Sequence, residues 1–240
     1  MLSLVRAATF IAIGPPFNSR AIPAVIKIGI AASLAVVTAP NVGAENLSME
    51  WLPLTTAVAT QVAAGMLLGF LSFLIFSAVQ GAGALVDLFG GFTVAPAYDP
   101  LSNLQSSTFG RVYQLIATTL LFAMNGHLML VKGFLTSFKA VPLGGFNADR
   151  VGATFATQAG AFFLAAMEIA APMMAALFLA EVILGLLSRA APLMNVFALG
   201  FPFKILVTIF TVGMTLPLLP DATRALTENI LRSGKQLIGG

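Results

Sequence analysis

Apolar residues fall along this chain in long runs separated by short polar stretches, and no strand-length segment alternates with period two. That pattern predicts helices and argues against a membrane β-barrel. The first run, Met1 to Ile13, carries Arg6 and is too short to span a bilayer comfortably. Gly14-Pro15-Pro16 ends it, and a second run from Ile22 to Ala39 holds Lys27 near its start. Lys27 either snorkels to the headgroups or lies buried against a partner carboxylate or carbonyl. From Leu54 to Val94 the only charge is Asp87. At about 20 residues per crossing this run is too long for one span, which predicts a long helix with a break, or a tight hairpin, near Gly81 and Gly83. Gly65 and Gly69 have the spacing of a close helix contact, but among 22 glycines the expectation is general packing.

In the second half, Tyr113 to Val131 reads as a clean span, with His127 as an interfacial hydrogen-bonder at its end. Ala153 to Leu187 contains Glu168, Pro172 and Glu181, and Pro172 is expected to kink it or split it into half-helices. Val196 to Leu219 is punctuated by Pro202 and Pro217, and a polar, weakly helical tail runs from Asp221 to Gly240. Three polar links separate the runs. Asn41–Trp51 holds the single tryptophan, which suits a membrane interface, Phe92–Arg111 contains the turn signal Asp99-Pro100, and Lys132–Arg150 is basic.

Composition narrows the class. The chain is 58% hydrophobic and 9% charged, with mean hydropathy +0.96. Soluble domains are about 25% charged, so this chain could not cover its own surface with polar groups. The expected fold is therefore all-α, an integral membrane protein of long, Pro/Gly-broken helices and helical hairpins. A net charge of +3 from scattered basic residues gives no nucleic-acid footprint. Arg6 inside the first apolar run, with no basic stretch before it, argues against a cleaved signal peptide. The absence of cysteine excludes disulfides and thiol nucleophiles, and one histidine leaves few routes to a transition metal. No phosphate-binding loop, HExxH or GxSxG motif occurs, and Glu168 and Glu181 fall on different faces of a helix. The chain is thus not expected to be an enzyme, nor to hold a metal or cofactor.

The stretch Glu181 to Ile205 poses the central physical problem. It is apolar enough for a bilayer, yet carries Glu181, Arg189 and Lys204 and is broken by Pro192, Gly200 and Pro202. With Arg6, Lys27, Asp87 and Glu168, such charges would cost on the order of 20 kcal/mol if all met lipid. Glu181 and Arg189 lie about 12 Å apart along one helix, too far for an ion pair. Partners must come from neighbouring helices or neighbouring chains. Two classes fit, a small transporter with a midplane site and a subunit of a hetero-oligomeric channel, and spacing separates them only slightly.

Leu184 to Ile205 resembles the hallmark of the FliR family of flagellar type III export-gate proteins (SctT in injectisomes). The match is carried by Gly185, Arg189, Pro192, Asn195, Gly200, Pro202 and Lys204. Arg6, Pro16-Phe17, Ile22-Pro23, Gly65 to Phe70, Asp99-Pro100 and Gly126-His127 extend it over most of the chain. Departures are Gln61, where an acidic residue is expected, and Ala84 and Asp87, where the family tends to have Gln and Gly. The resemblance implies a FliP-like part over residues 1–150 and a FliQ-like helical hairpin with tail over 151–240. It implies assembly with FliP and FliQ homologues, contact with FlhB and FlhA homologues, and passage of unfolded rod, hook and filament subunits. The setting it implies is the flagellar basal body in the bacterial inner membrane. It also implies a plug loop near residues 100–111, with Gln105, Ser106, Ser107, Thr108 and Phe109 as plug candidates against a passive connection. Inter-subunit charge contacts are expected at Arg6, Lys27, Glu181, Arg189 and Lys204, and helix breaks at Pro172, Pro192, Gly200 and Pro202. The equivalent injectisome subunit is the alternative.

Overall fold

A computed structural model of the chain describes residues 1–39, 51–92, 107–140, 148–193 and 195–228. Helix α1 is Leu2–Ile13, α2 Ala24–Thr38, α3 Trp51–Gly90, α4 Thr108–Ala123, α5 Gly126–Ala140, α6 Ala148–Ala190 and α7 Val196–Thr215. A 3-10 turn at Leu216–Leu218 leads into a last helix, α8, over 219–228. The described residues contain no strand, and the protein is an all-α integral membrane protein, as the unalternated apolar runs require. Among the described residues three helices are long and apolar enough to cross a bilayer, or four spans if the bent pair α4–α5 counts as one.

Several expected interruptions fall elsewhere. The expected break near Gly81 and Gly83 is absent, for α3 runs through both as a single helix of 40 residues, about 60 Å long. Gly83 serves close packing instead, because a methyl there would lie 2.6 Å from the Phe109 carbonyl oxygen and 2.7 Å from the Gly110 Cα. The clean span expected from Tyr113 to Val131 is in fact bent by 75° between α4 and α5. Asn125 adopts φ 56° at the bend, a left-handed conformation that its short polar side chain tolerates better than most. Pro172 does not split α6, and Gly200 and Pro202 lie inside α7. Each proline removes one backbone bond, yet both helices continue through it, and in α6 the buried Ala170, Met173 and Leu177 lie beside Pro172. Of the four expected breaks only Pro192 sits between helices, in the turn joining α6 to α7.

By its internal contacts the chain divides into two units. One comprises Met1–Phe76, Leu121–Ala161 and the chain from Arg224, the other Ser77–Leu120 and Phe162–Thr223. Helices α3, α4 and α6 each give one part to each unit. In the first unit α2 packs on α1, whose Phe10 stacks on Phe134 of α5 with ring centroids 5.2 Å apart. Gly65 and Gly69 are a true close contact: a methyl on Gly65 would meet the Thr9 hydroxyl and, at 2.6 Å, the Arg6 carbonyl oxygen. A methyl on Gly69 would lie 2.9 Å from the Ile13 Cβ. The second unit buries Val79, Ala82 and Val86 of α3 with Tyr113 and Ala117 of α4. There the Tyr113 hydroxyl donates to the Met173 sulfur of α6 at 3.1 Å.

Candidate functional site

Arg6 is fully buried, which for a guanidinium demands hydrogen-bond acceptors. Its Nε donates to the Gln61 Oε1 at 2.7 Å, one Nη donates to the Ser137 hydroxyl at 3.3 Å, and its guanidinium carbon sits 4.1 Å from the Phe138 ring centre. Helices α1, α3 and α5 of the first unit thus converge on one side chain. Gln61, the departure from the FliR pattern, offers an amide oxygen where an acidic residue was expected, and so keeps the acceptor without the charge. Lys27 is half-buried and donates to the Asn18 carbonyl oxygen at 3.1 Å. It therefore meets a carbonyl, but one of its own chain. Glu181 and Lys204 form an ion pair between α6 and α7, with Glu181 the more exposed partner. The chain itself thus supplies partners for all four charges: other helices for Arg6 and for the Glu181–Lys204 pair, and the turn before α2 for Lys27.

Arg189 differs. It is exposed in the last turn of α6, where a cation suits the helix's negative end, and no hydrogen bond or ion pair holds its side chain among the described residues. Gly185, one turn earlier, has nothing within 4 Å of where a methyl would go. Along their length α6 and α7 expose Phe178, Leu179, Ile183, Leu186, Leu206 and Phe210. Asn195, which carries part of the family resemblance, caps α7, its side-chain oxygen accepting from the Ala198 N–H at 3.1 Å. A methyl on Gly200 would lie 3.4 Å from the Leu184 side chain, an ordinary contact distance. His127 is half-buried against the Phe122 ring, centroids 5.0 Å apart, and its Nδ1 has no hydrogen-bond partner among the described residues. The interfacial hydrogen bond expected of it is not formed at that atom.

Of the plug candidates, Gln105 and Ser106 lie outside the described residues. Ser107 is the N-cap of α4, its hydroxyl accepting from the Gly110 N–H at 2.8 Å, and Thr108 and Phe109 begin the helix. Two of the expected loop residues are therefore helical. Sequence reading did not single out Asp87 as a site residue, although it is the only charge in its apolar run. Asp87 is buried in the last turn of α3, and its Oδ2 accepts from the Ser107 hydroxyl, from the Phe109 N–H at 3.0 Å and from the Gly110 N–H at 3.4 Å. A carboxylate near the C-terminus of its own helix is electrostatically misplaced, and here the first-turn donors of α4 compensate it.

The sequence matches the family described as bacterial export proteins, family 1, over residues 1–230. It is 31% identical over 218 residues to the flagellar biosynthetic protein FliR of Escherichia coli K12, covering 90% of this chain and 83% of the relative. The Bacillus subtilis FliR is 28% identical over 247 residues, with 100% and 95% covered. The Yop proteins translocation protein T of Yersinia pestis is 30% identical over 183 residues, with 75% and 70% covered. Arg6, the close glycine pair under α1 and the Arg189–Lys204 stretch all lie within the matched residues, and the chain belongs to the bacterial export proteins, family 1, as its resemblance to FliR implied.

Proposed function

We propose that this chain is a subunit of the flagellar type III protein export gate in the bacterial inner membrane. In this reading it assembles with FliP and FliQ homologues, near FlhB and FlhA homologues, into a closed conduit for unfolded rod, hook and filament subunits. Residues 1–150 supply the FliP-like part and 151–240 the FliQ-like hairpin. The observation that carries the reading is Arg189 standing exposed, without a partner among the described residues, on an apolar α6–α7 surface inside the residues that match the family. An exposed cation beside the exposed Leu186 and Leu193 is costly in hydrocarbon, and an acceptor on a neighbouring subunit would satisfy it. Helices of about 60 Å, twice the hydrocarbon thickness, also suit an assembly that extends beyond the membrane plane. Injectisome use is the second reading, supported by the Yersinia relative. Flagellar use is preferred because the FliR relatives are covered more completely.

The test is co-expression with FliP and FliQ homologues followed by native mass measurement of what copurifies. A hetero-oligomer is expected, and Arg189→Ala should reduce its yield severalfold by leaving a partner group buried and unpaired. A monodisperse, transport-active single protein would overturn the reading in favour of a small carrier.

The plug belongs to the same proposal. Small polar groups and one ring, Gln105 to Phe109, fill a channel while making few strong contacts that would trap a passing chain. Deleting residues 104–106, which spares the capped start of α4, should leave assembly intact and make cells leaky to ions or small solutes. Unchanged membrane conductance in the assembled deletion variant would remove the plug role.

A further inference from the structure

We infer that Asp87 is the positioning residue of the candidate plug, a clasp that fixes the start of α4 against the end of α3. This inference rests on the plug reading above, and the clasp itself involves described residues only.

Both faces of Asp87 take part. Its backbone carbonyl closes α3: the Phe92 N–H donates to it at 3.0 Å and the Gly91 N–H donates to the Leu88 carbonyl at 3.4 Å, with Gly91 at φ 80°. This is the paired bonding of a Schellman end, and the left-handed residue it needs is supplied by glycine. Its carboxylate opens α4 through Ser107, Phe109 and Gly110. One residue therefore ends one helix and starts the next, although residues 93–106 lie between them in sequence. The Phe92 and Phe109 rings complete the junction edge to face, centroids 5.2 Å apart.

Backbone proximity makes this reach possible. Gly83 faces Gly110, and any side chain on Gly83 would strike the α4 backbone. A side chain on Gly110 would strike the Ser107 hydroxyl that bridges carboxylate and helix. Asp87 Oδ1 is buried and has no hydrogen-bond partner among the described residues, while Oδ2 receives every donor. The bonds at Oδ2 hold Ser107 and Phe109, the described plug candidates at this junction, against the end of α3.

The experiment uses the full chain co-expressed with FliP and FliQ homologues. Because the chain has no cysteine, Phe92→Cys with Phe109→Cys gives a clean pair for a short bifunctional maleimide. In the assembled complex this pair should cross-link quickly. Adding Asp87→Ala should slow cross-linking roughly tenfold or more, and Asp87→Ala alone should raise ion leak. If Asp87→Ala fails to assemble, Ser107→Ala removes only the bridging hydroxyl and is read with the same pair. Unchanged cross-linking in the variants overturns the clasp. Slowed cross-linking without leak, while the 104–106 deletion does leak, overturns Asp87 as the residue that positions the plug. If neither variant leaks, the plug reading itself fails and Asp87 loses its role in it.

Discussion

Arg6→Ala is expected to destabilise the unit built by α1, α3 and α5 by about 3–5 kcal/mol. The change takes a fully buried side chain out of the junction, leaves a cavity, and deprives the Gln61 amide oxygen and the Ser137 hydroxyl of the guanidinium N–H groups that meet them. Two further variants separate packing from hydrogen bonding. Arg6→Met keeps most of the volume, so its remaining deficit reports the orphaned acceptors. Arg6→Lys keeps a cation but cannot reproduce the planar fork or its placement over Phe138, and should fall between the parent and alanine. Thermal unfolding of the detergent-solubilised complex, followed by limited proteolysis near Gly14, reads the series. If alanine and methionine variants both melt within a degree or two of the parent, Arg6 is not the centre of that unit.

Gly65→Ala should be nearly as damaging, by about 2–3 kcal/mol, although it adds a single methyl. That methyl would overlap the Thr9 hydroxyl and press on the Arg6 carbonyl, and a backbone group cannot swing aside. Helix α1 must therefore lift away, carrying Arg6 with it. The two effects should be non-additive, and a double-mutant cycle with Arg6→Ala should show coupling of about 1 kcal/mol or more. Gly185→Ala is the comparison: its methyl meets nothing within 4 Å in this chain, and alanine favours the helix. It should leave the chain's own stability within about 0.5 kcal/mol. Equal losses at Gly65 and Gly185 would refute the α1–α3 contact as the cause.

How much of this was legible beforehand varied with the kind of interaction. Arg6, Lys27, Glu181 and Lys204 were recognisable as charges needing shelter, because an ion in an apolar run has a large desolvation cost wherever it lies. Who shelters them was not legible. Glu181 and Lys204 find each other across the α6–α7 turn, and Arg6 reaches Gln61 and Ser137 on two other helices. Glycine and proline misled for a related reason. Gly81 and Gly83 read locally as a helix breaker's signature, and Pro172 and Pro202 as breaks. Whether a weak point bends depends on what packs across it, and close packing accompanies the unbroken helix at Gly83 and beside Pro172. At Asn125 the local left-handed preference prevailed and an apparent span turned by 75°.

The sequence by itself determined that this is a helical membrane protein, which residues are too polar for lipid, and which family it belongs to. Those properties follow from composition, period and local motif, each a sum over near neighbours along the chain. Tertiary structure alone decided that Asp87 caps a helix beginning twenty-one residues later, that Gly65 and Gly69 seat α1, and that Arg189 stands exposed. Such contacts join positions far apart in sequence. Their energies depend on distances of a few tenths of an ångström, which no local pattern encodes.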